Sequence, residues 1–264
     1  MQPWDSQKLM LKNKKGIIFG IANDHSIAWG IAKKLAENGA EIAITYQNEN
    51  LLKRIKPLAE KIDNNFLIEC DFSKNESIKN CFEEVEKKFH DIDFVIHAAA
   101  FSDKNELNGK YLNTSKDNFI GTLNISCFSF TEISKYASEI MNDGGSLLTL
   151  SFYGSNKVMP NYNVMGVAKA ALETSVKYLS VDLGSQNIRV NAISAGPMRT
   201  LSGSAVSNAR QVYNYTQENS ALKRNVRLEE IGNTALYFVS DLSKAVTGEI
   251  HYVDCGFNII GMPK

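Results

Sequence analysis

The chain has 264 residues, 44% hydrophobic and 22% charged, with 29 basic side chains balancing 29 acidic ones. This composition suits one large α/β domain or two small ones, and zero net charge offers no global argument for binding nucleic acid or membrane. The four cysteines (Cys70, Cys81, Cys127, Cys255) are widely spread without a C-x-x-C, which argues against a disulfide or zinc framework and for a reducing compartment.

The opening M-Q-P-W-D-S-Q-K-L-M lacks the apolar core of a signal peptide, and no apolar run approaches ~20 residues, so a soluble, cytoplasmic protein is expected. G-I-I-F-G-I (16–21) reads as a buried strand, and S-I-A-W-G-I-A-K-K-L-A-E-N-G (26–39) as a helix closed by Gly39. Next come the strand E-I-A-I-T-Y-Q (41–47) and a charged helix over 50–62, in which Pro57 should mark a kink or a first turn. F-L-I-E-C-D (66–71) and D-F-V-I-H-A-A (93–99) are strands flanking a helix over 76–89. A long helix within 116–141 precedes the strand G-S-L-L-T-L-S-F (145–152), and another helix spans about 161–183. I-R-V-N-A-I-S-A-G (188–196), a polar segment at 200–227, a helix over 228–240 and E-I-H-Y-V-D (249–254) complete the order. Alternation of helices with continuous apolar strands predicts a single Rossmann-like doubly wound domain over 1–264. Its parallel sheet has about seven strands, with helices on both faces.

Such sheets bind ligands beyond the carboxyl ends of their strands. The first strand-to-helix turn, G-I-A-N-D-H-S-I-A (20–28), is not a G-x-G-x-x-G fingerprint. Gly20 still permits a tight turn, and Ser26 and Ile27 start a helix whose free N–H groups attract a pyrophosphate; an ordinary turn capped by Asn23, Asp24 or Ser26 is the other reading. At the end of the second strand Gln47 stands where an acid or an arginine would bind adenosine ribose. An amide there favours NADH over NADPH. Asp71, ending the third strand, either accepts a bond from an adenine amino group or caps the following turn. His97 reads as a structural histidine, Asn161 and Asn191 as structural hydrogen-bonders. The four histidines show no metal-ligand spacing.

The stretch P-N-Y-N-V-M-G-V-A-K-A-A-L (160–172) places Tyr162 seven residues before Lys169. On a continuous helix that is two turns and ~10.5 Å of rise, returning to nearly the same face. The lysine is also placed to lower the phenol's pKa. Many reductases separate this pair by one turn, but that slot here holds Met165.

This spacing, the G-x5-S-I-A turn, T-Y-Q, N-Y-N-V-M-G-x-A-K-A-A-L and R-V-N-A-I-S-A-G-P-M-R-T-L together resemble the NADH-dependent enoyl-acyl carrier protein reductases of the short-chain dehydrogenase/reductase superfamily. The similarity runs from about residue 12 to 260, ending in T-G-E-I-H-Y-V-D-C-G-F-N. It implies that Gly20, Ser26, Ile27, Gln47, Asp71, Phe72 and Ala99 line NADH, with Lys169 on the nicotinamide ribose and Met198, Thr200, Leu201 and Ser202 on the carboxamide and pyrophosphate. It implies also that Tyr162 hydrogen-bonds the substrate's thioester carbonyl, that Ser102, Phe152 and Ala209 line the acyl site, and that 200–223 forms a substrate loop. An acyl carrier protein partner and a homotetramer complete what it implies; charge, apolar-run length and histidine spacing add the expectation of no nucleic acid, no membrane and no metal.

Three departures stand out. The family's second tyrosine, ten residues before the active one, is Phe152, with Tyr153 beside it; a proton would then have to come from water or Ser151. The aromatic residue usual in the substrate loop is Ala209. The basic cluster that would meet an acidic carrier is reduced to Arg210 between Ser207, Asn208 and Gln211, with Lys223 and Arg224 as candidate compensation. Besides the acyl carrier protein reductase, two readings remain: a paralogue reducing enoyl groups on coenzyme A or a specialised carrier, and a non-catalytic dinucleotide sensor. A ketone reductase is disfavoured by Met165.

Overall fold

The computed structural model describes residues 9–200, 203 and 209–262. Seven strands, β1 (Lys15–Phe19), β2 (Glu41–Tyr46), β3 (Leu67–Glu69), β4 (Phe94–His97), β5 (Gly145–Ser151), β6 (Ile188–Ala195) and β7 (Ile250–Val253), form one sheet. Its order is β3-β2-β1-β4-β5-β6-β7, and each pairing is parallel. The helices whose bounds lie among the described residues are α1 (Ile27–Glu37), α2 (Glu49–Glu60), α3 (Ser77–Phe89), α4 (Lys116–Leu123), α5 (Ser129–Glu139), α6 (Val164–Gly184), α7 (Ala209–Asn219) and α8 (Leu228–Val239).

Because successive strand residues face opposite sides, each strand feeds two cores. Ile18, Ile44, Ile96 and Leu148 join Trp29, Leu35, Ile55 and Phe238 from α1, α2 and α8. Ile17, Ala43, Val95 and Leu147 join Phe82, Phe130, Leu172 and Leu183 from α3, α5 and α6. Burial on both faces is why these strands read as unbroken apolar runs rather than alternating ones.

Three boundaries differ from the sequence reading. The helix expected within 116–141 is two helices joined by a π-helical turn, Asn124–Phe128. Pro57 lies in the last turn of α2, so it neither opens that helix nor ends it before Glu60. α6 begins at Val164 rather than 161, because Asn161 and Asn163 hold positive φ angles of 59° and 42° that a right-handed helix cannot contain. No helix among the described residues is long and apolar enough to cross a membrane.

Candidate active site

The first turn of the sheet is shaped for a close backbone approach. Gly20 leaves β1 at φ +98°, and a Cβ there would run into the Ala98 carbonyl at the end of β4, so only glycine fits. Ser26 Oγ accepts from the Ala22 and Asn23 N–H groups at 3.0 and 3.1 Å, so it folds the loop rather than capping the helix. The start of α1 at Ile27 therefore has no side-chain cap and no acid in its first turn, the arrangement that receives an anion.

At the ends of β2 and β3, exposed Gln47 donates its amide to Asp71 Oδ1 at 3.3 Å. Asp71 Oδ1 also accepts from Ser73 N and Oγ at 3.0 and 2.7 Å. Burial pushes the Asp71 carboxyl up, but the Ser73 and Gln47 hydrogen bonds and the Lys74 charge outweigh it and hold the group below its ordinary value. Phe72 stacks on the His97 ring at 6.0 Å, and Ala99 follows β4. His97 is fully buried, bonded through Nδ1 to Thr149 Oγ1 (2.8 Å) and through Nε2 to Ser129 Oγ (2.9 Å). Burial first, and the Lys169 charge second, lower its pKa to about 3, so it is a neutral tie between β4, β5 and α5.

Beyond β6, Met198 packs on the core, and Thr200 accepts from Gly203 N at 2.9 Å. Leu201 and Ser202 lie outside the described residues, as do Ser207 and Asn208. Ala209 opens α7, and Arg199 stacks over the Tyr213 ring of that helix at 4.6 Å. Arg224 is not a free cation for a carrier: its guanidinium forks onto Glu230 at 2.9 and 2.8 Å. Lys223 turns back to the Glu218 carbonyl at 3.0 Å.

Tyr162 and Lys169 are brought to the carboxyl edge of β5, but not by two turns of continuous helix. Tyr162 sits in the turn before α6, where its N–H reaches Met159 O at 3.1 Å and its carbonyl accepts from Met165 N at 3.0 Å. Asn163 anchors that turn to the 100–115 segment, donating to Leu107 O at 3.0 Å. The phenol packs beside Leu107, Val164 and Met165. Phe152 meets the Tyr162 ring edge-on, with centroids 4.9 Å apart and planes at 70°. Burial, with the Glu173 charge behind it, pushes the phenol well above its ordinary range. The expected lowering by Lys169 is absent, because the ammonium is directed elsewhere.

Lys169, 6% exposed, donates to the Leu150 carbonyl at 2.7 Å. Burial lowers its pKa to about 8, against the smaller upward pull of Cys127 and Glu173. Met165 fills the slot one turn before it, buried, with its sulfur 3.8 Å from Ser126 Oγ. Ser102 Oγ donates to Asn118 Oδ1 at 3.2 Å and accepts from Thr122 Oγ1 at 2.9 Å, which ties the segment after β4 to α4.

Neither neighbouring side-chain hydroxyl, Tyr153 or Ser151, replaces the missing upstream one. Tyr153 turns toward the C-terminal segment, donating to Asn258 O at 3.2 Å beside Tyr252 and Phe257. Ser151 Oγ donates to Glu173 Oε1 at 2.5 Å. Sequence reasoning missed Glu173 altogether. Its signal was an acid four residues after Lys169, on the same stripe as the apolar positions Met165, Leu172 and Val176.

A parallel sheet with an uncapped helix at its first glycine turn, and a buried lysine and a tyrosine at the carboxyl edge of β5, defines a nicotinamide-dependent oxidoreductase of the short-chain dehydrogenase/reductase type. Comparison narrows this class. The family described as Enoyl-(Acyl carrier protein) reductase matches residues 20–258. The chain is 57% identical to enoyl-[acyl-carrier-protein] reductase [NADH] 2 of Rhizobium meliloti, over 96% of this chain and 95% of that one. It is 54% identical to the FabI enzyme of Rickettsia typhi, over 97% and 98%. The crystal structure of FabI from Candidatus Liberibacter asiaticus superposes with a TM-score of 0.95 at 56% identity, covering 97% of this chain and 99% of that one. The Anaplasma phagocytophilum reductase solved with NAD superposes at 0.94 and 52% identity, covering 98% of each. The chain belongs to the enoyl-acyl carrier protein reductase family.

Proposed function

We propose that this protein reduces the carbon–carbon double bond of trans-2-enoyl thioesters carried on acyl carrier protein, with NADH, in the last reductive step of bacterial type II fatty acid elongation. The observation that carries the reading is the position of Tyr162 in the turn before α6, a helical turn further from Lys169 than buried Met165, which fills the slot a ketone reductase gives its tyrosine. NADH supplies the hydride, which adds at the β-carbon and leaves negative charge on the thioester oxygen two carbons away. A donor at that oxygen stabilises the developing enolate, and one such donor is typically worth ~3 kcal/mol. Tyr162 has this role: with its pKa raised, the phenol keeps its proton and stays a donor. Lys169 holds the nicotinamide ribose hydroxyls. Gly20, Ser26, Ile27, Gln47, Asp71, Phe72, Ala99, Met198, Thr200, Leu201 and Ser202 line the dinucleotide, and the uncapped start of α1 supports its pyrophosphate.

Ser102, Phe152 and Ala209 line the acyl group, with 200–223, which is no open loop but holds α7 (Ala209–Asn219), as the substrate-binding segment of a single Rossmann-type domain. The protein works in the cytoplasm as a homotetramer, and exposed Tyr178 and Val181 on α6 suit an interface; light scattering measures the assembly. The decisive assay follows NADH oxidation with crotonyl groups on acyl carrier protein, on coenzyme A, and with a β-keto thioester. Fastest turnover on the carrier-bound crotonyl group is expected. No oxidation with either enoyl substrate would sink the reading, and a preference for coenzyme A would reassign the carrier.

A further inference from the structure

Glu173 is an acid in a place where acids are rare. It lies on α6 one turn beyond Lys169, is 8% exposed, and faces the sheet with the apolar residues of that helix. Its Oε1 accepts from Ser151 Oγ at the end of β5 (2.5 Å) and from Ser155 Oγ in the turn that follows (2.6 Å). Its Oε2 faces Asn156 Nδ2 at 3.4 Å, and the same amide donates to Tyr252 OH on β7 at 2.9 Å. Between Ser151 and Tyr252 in the sheet register stands Ser194, whose buried hydroxyl has no hydrogen-bond partner among the described residues.

The turn that Glu173 grips is the one that shapes the tyrosine. Phe152 begins it and meets the Tyr162 ring. Gly154, at its centre, lies so close that a Cβ would enter that ring. We propose that Glu173 is a positioning residue for Tyr162 and Lys169: its carboxylate clamps the 151–156 turn onto α6 and sets a buried negative charge behind both groups. One group thereby serves two opposite needs of the site, a cation that binds and a phenol that donates. For Tyr162 and Tyr252 burial raises the proton affinity first and the Glu173 charge second; for Lys169 burial lowers it, and Cys127 and then Glu173 oppose that. The other ionisable groups facing Lys169 are Cys127, on the π-helical turn, and neutral His97 on β4. Tyr252 also feels Tyr153 and Asp254.

This inference rests on the proposed NADH site, so its test has a readout without NADH. Glu173→Gln keeps an Oε1 acceptor for both serines and removes the charge, together with the Oε2 acceptor that faces Asn156 at 3.4 Å; Glu173→Asp keeps the charge and shortens the reach. For each variant, the NADH dissociation constant is measured from pH 6.5 to 9.5, and urea unfolding of the ligand-free protein over the same range. In Glu173→Gln, the pH at which NADH affinity declines should fall by about half a unit or more. The ratio of variant to wild-type dissociation constant then grows about threefold across the range. The rise in ligand-free stability that accompanies loss of the Lys169 proton should begin at correspondingly lower pH. Glu173→Asp should retain the wild-type pH profile while unfolding at lower urea. A Glu173→Gln that weakens NADH binding equally at every pH, or whose ligand-free profile superimposes on wild type, overturns the proposal. If wild type does not bind NADH, the proposed function fails, and the ligand-free unfolding still decides the role of Glu173.

Discussion

Phe152 and Tyr162 meet edge to face, ring centroids 4.9 Å apart, across a turn with no room for a side chain at Gly154. The phenol's direction is therefore set by packing, since Phe152 offers no hydroxyl to hold it. Such an aromatic pair contributes ~1 kcal/mol beyond its buried area. Gly154→Ala would push a methyl into the Tyr162 ring. We expect it to cut kcat on an enoyl thioester by about tenfold, a shift of ~1.4 kcal/mol in barrier, while NADH affinity changes much less. Equal losses in both would mean that the turn supports the whole site rather than the tyrosine.

Tyr162→Phe removes the donor and keeps the ring. The expected loss is ~100-fold in kcat, the usual effect of deleting one oxyanion donor, with NADH binding retained. Steady-state kinetics with a separate NADH titration tests this, and a variant within threefold of wild type would remove Tyr162 from the chemistry.

Lys169→Ala should act mainly on NADH affinity, and an unchanged dissociation constant would contradict its role. The pH dependence has a definite sign. The ammonium is lost as pH rises through about 8, so NADH affinity should be level at pH 6–7 and decline above 8. For stability the direction is opposite. Between about 8 and the ordinary value of 10.5 the unfolded chain binds the proton that the folded one has released, so Lys169 adds stability as pH rises through that window.

His97 makes the fold acid-sensitive. Its folded pKa of about 3 lies far below the ordinary 6.5, so between those values only the unfolded chain is protonated. Stability falls as pH drops through that window, by up to ~4 kcal/mol when the lower limit is reached. His97→Gln, which cannot take up the proton, should be less stable at pH 7 but show a shallower loss between pH 6.5 and 4 in urea titrations. A parallel loss in both proteins would assign the acid sensitivity to the carboxylates.

Local pattern was enough to read the doubly wound sheet, because a strand buried on both faces must be apolar throughout and a covering helix must carry a stripe. Glycine at position 20, the amide of Gln47 and the Tyr162–Lys169 spacing were equally legible, since each is a short-range constraint. The direction and protonation of those groups were not legible, because they depend on contacts between residues distant in sequence. Lys169 looked like an ordinary cation until burial against β5 set its pKa at about 8. Tyr162 looked helical until positive φ angles at Asn161 and Asn163 placed it in a turn. Ser151, a candidate proton donor on paper, gives its hydrogen to Glu173, 22 residues away. Sequence alone determined which chemical groups reach the carboxyl edge of the sheet; tertiary structure decided which are charged, which can donate and which are already bound, because desolvation and hydrogen bonding are properties of the packed neighbourhood.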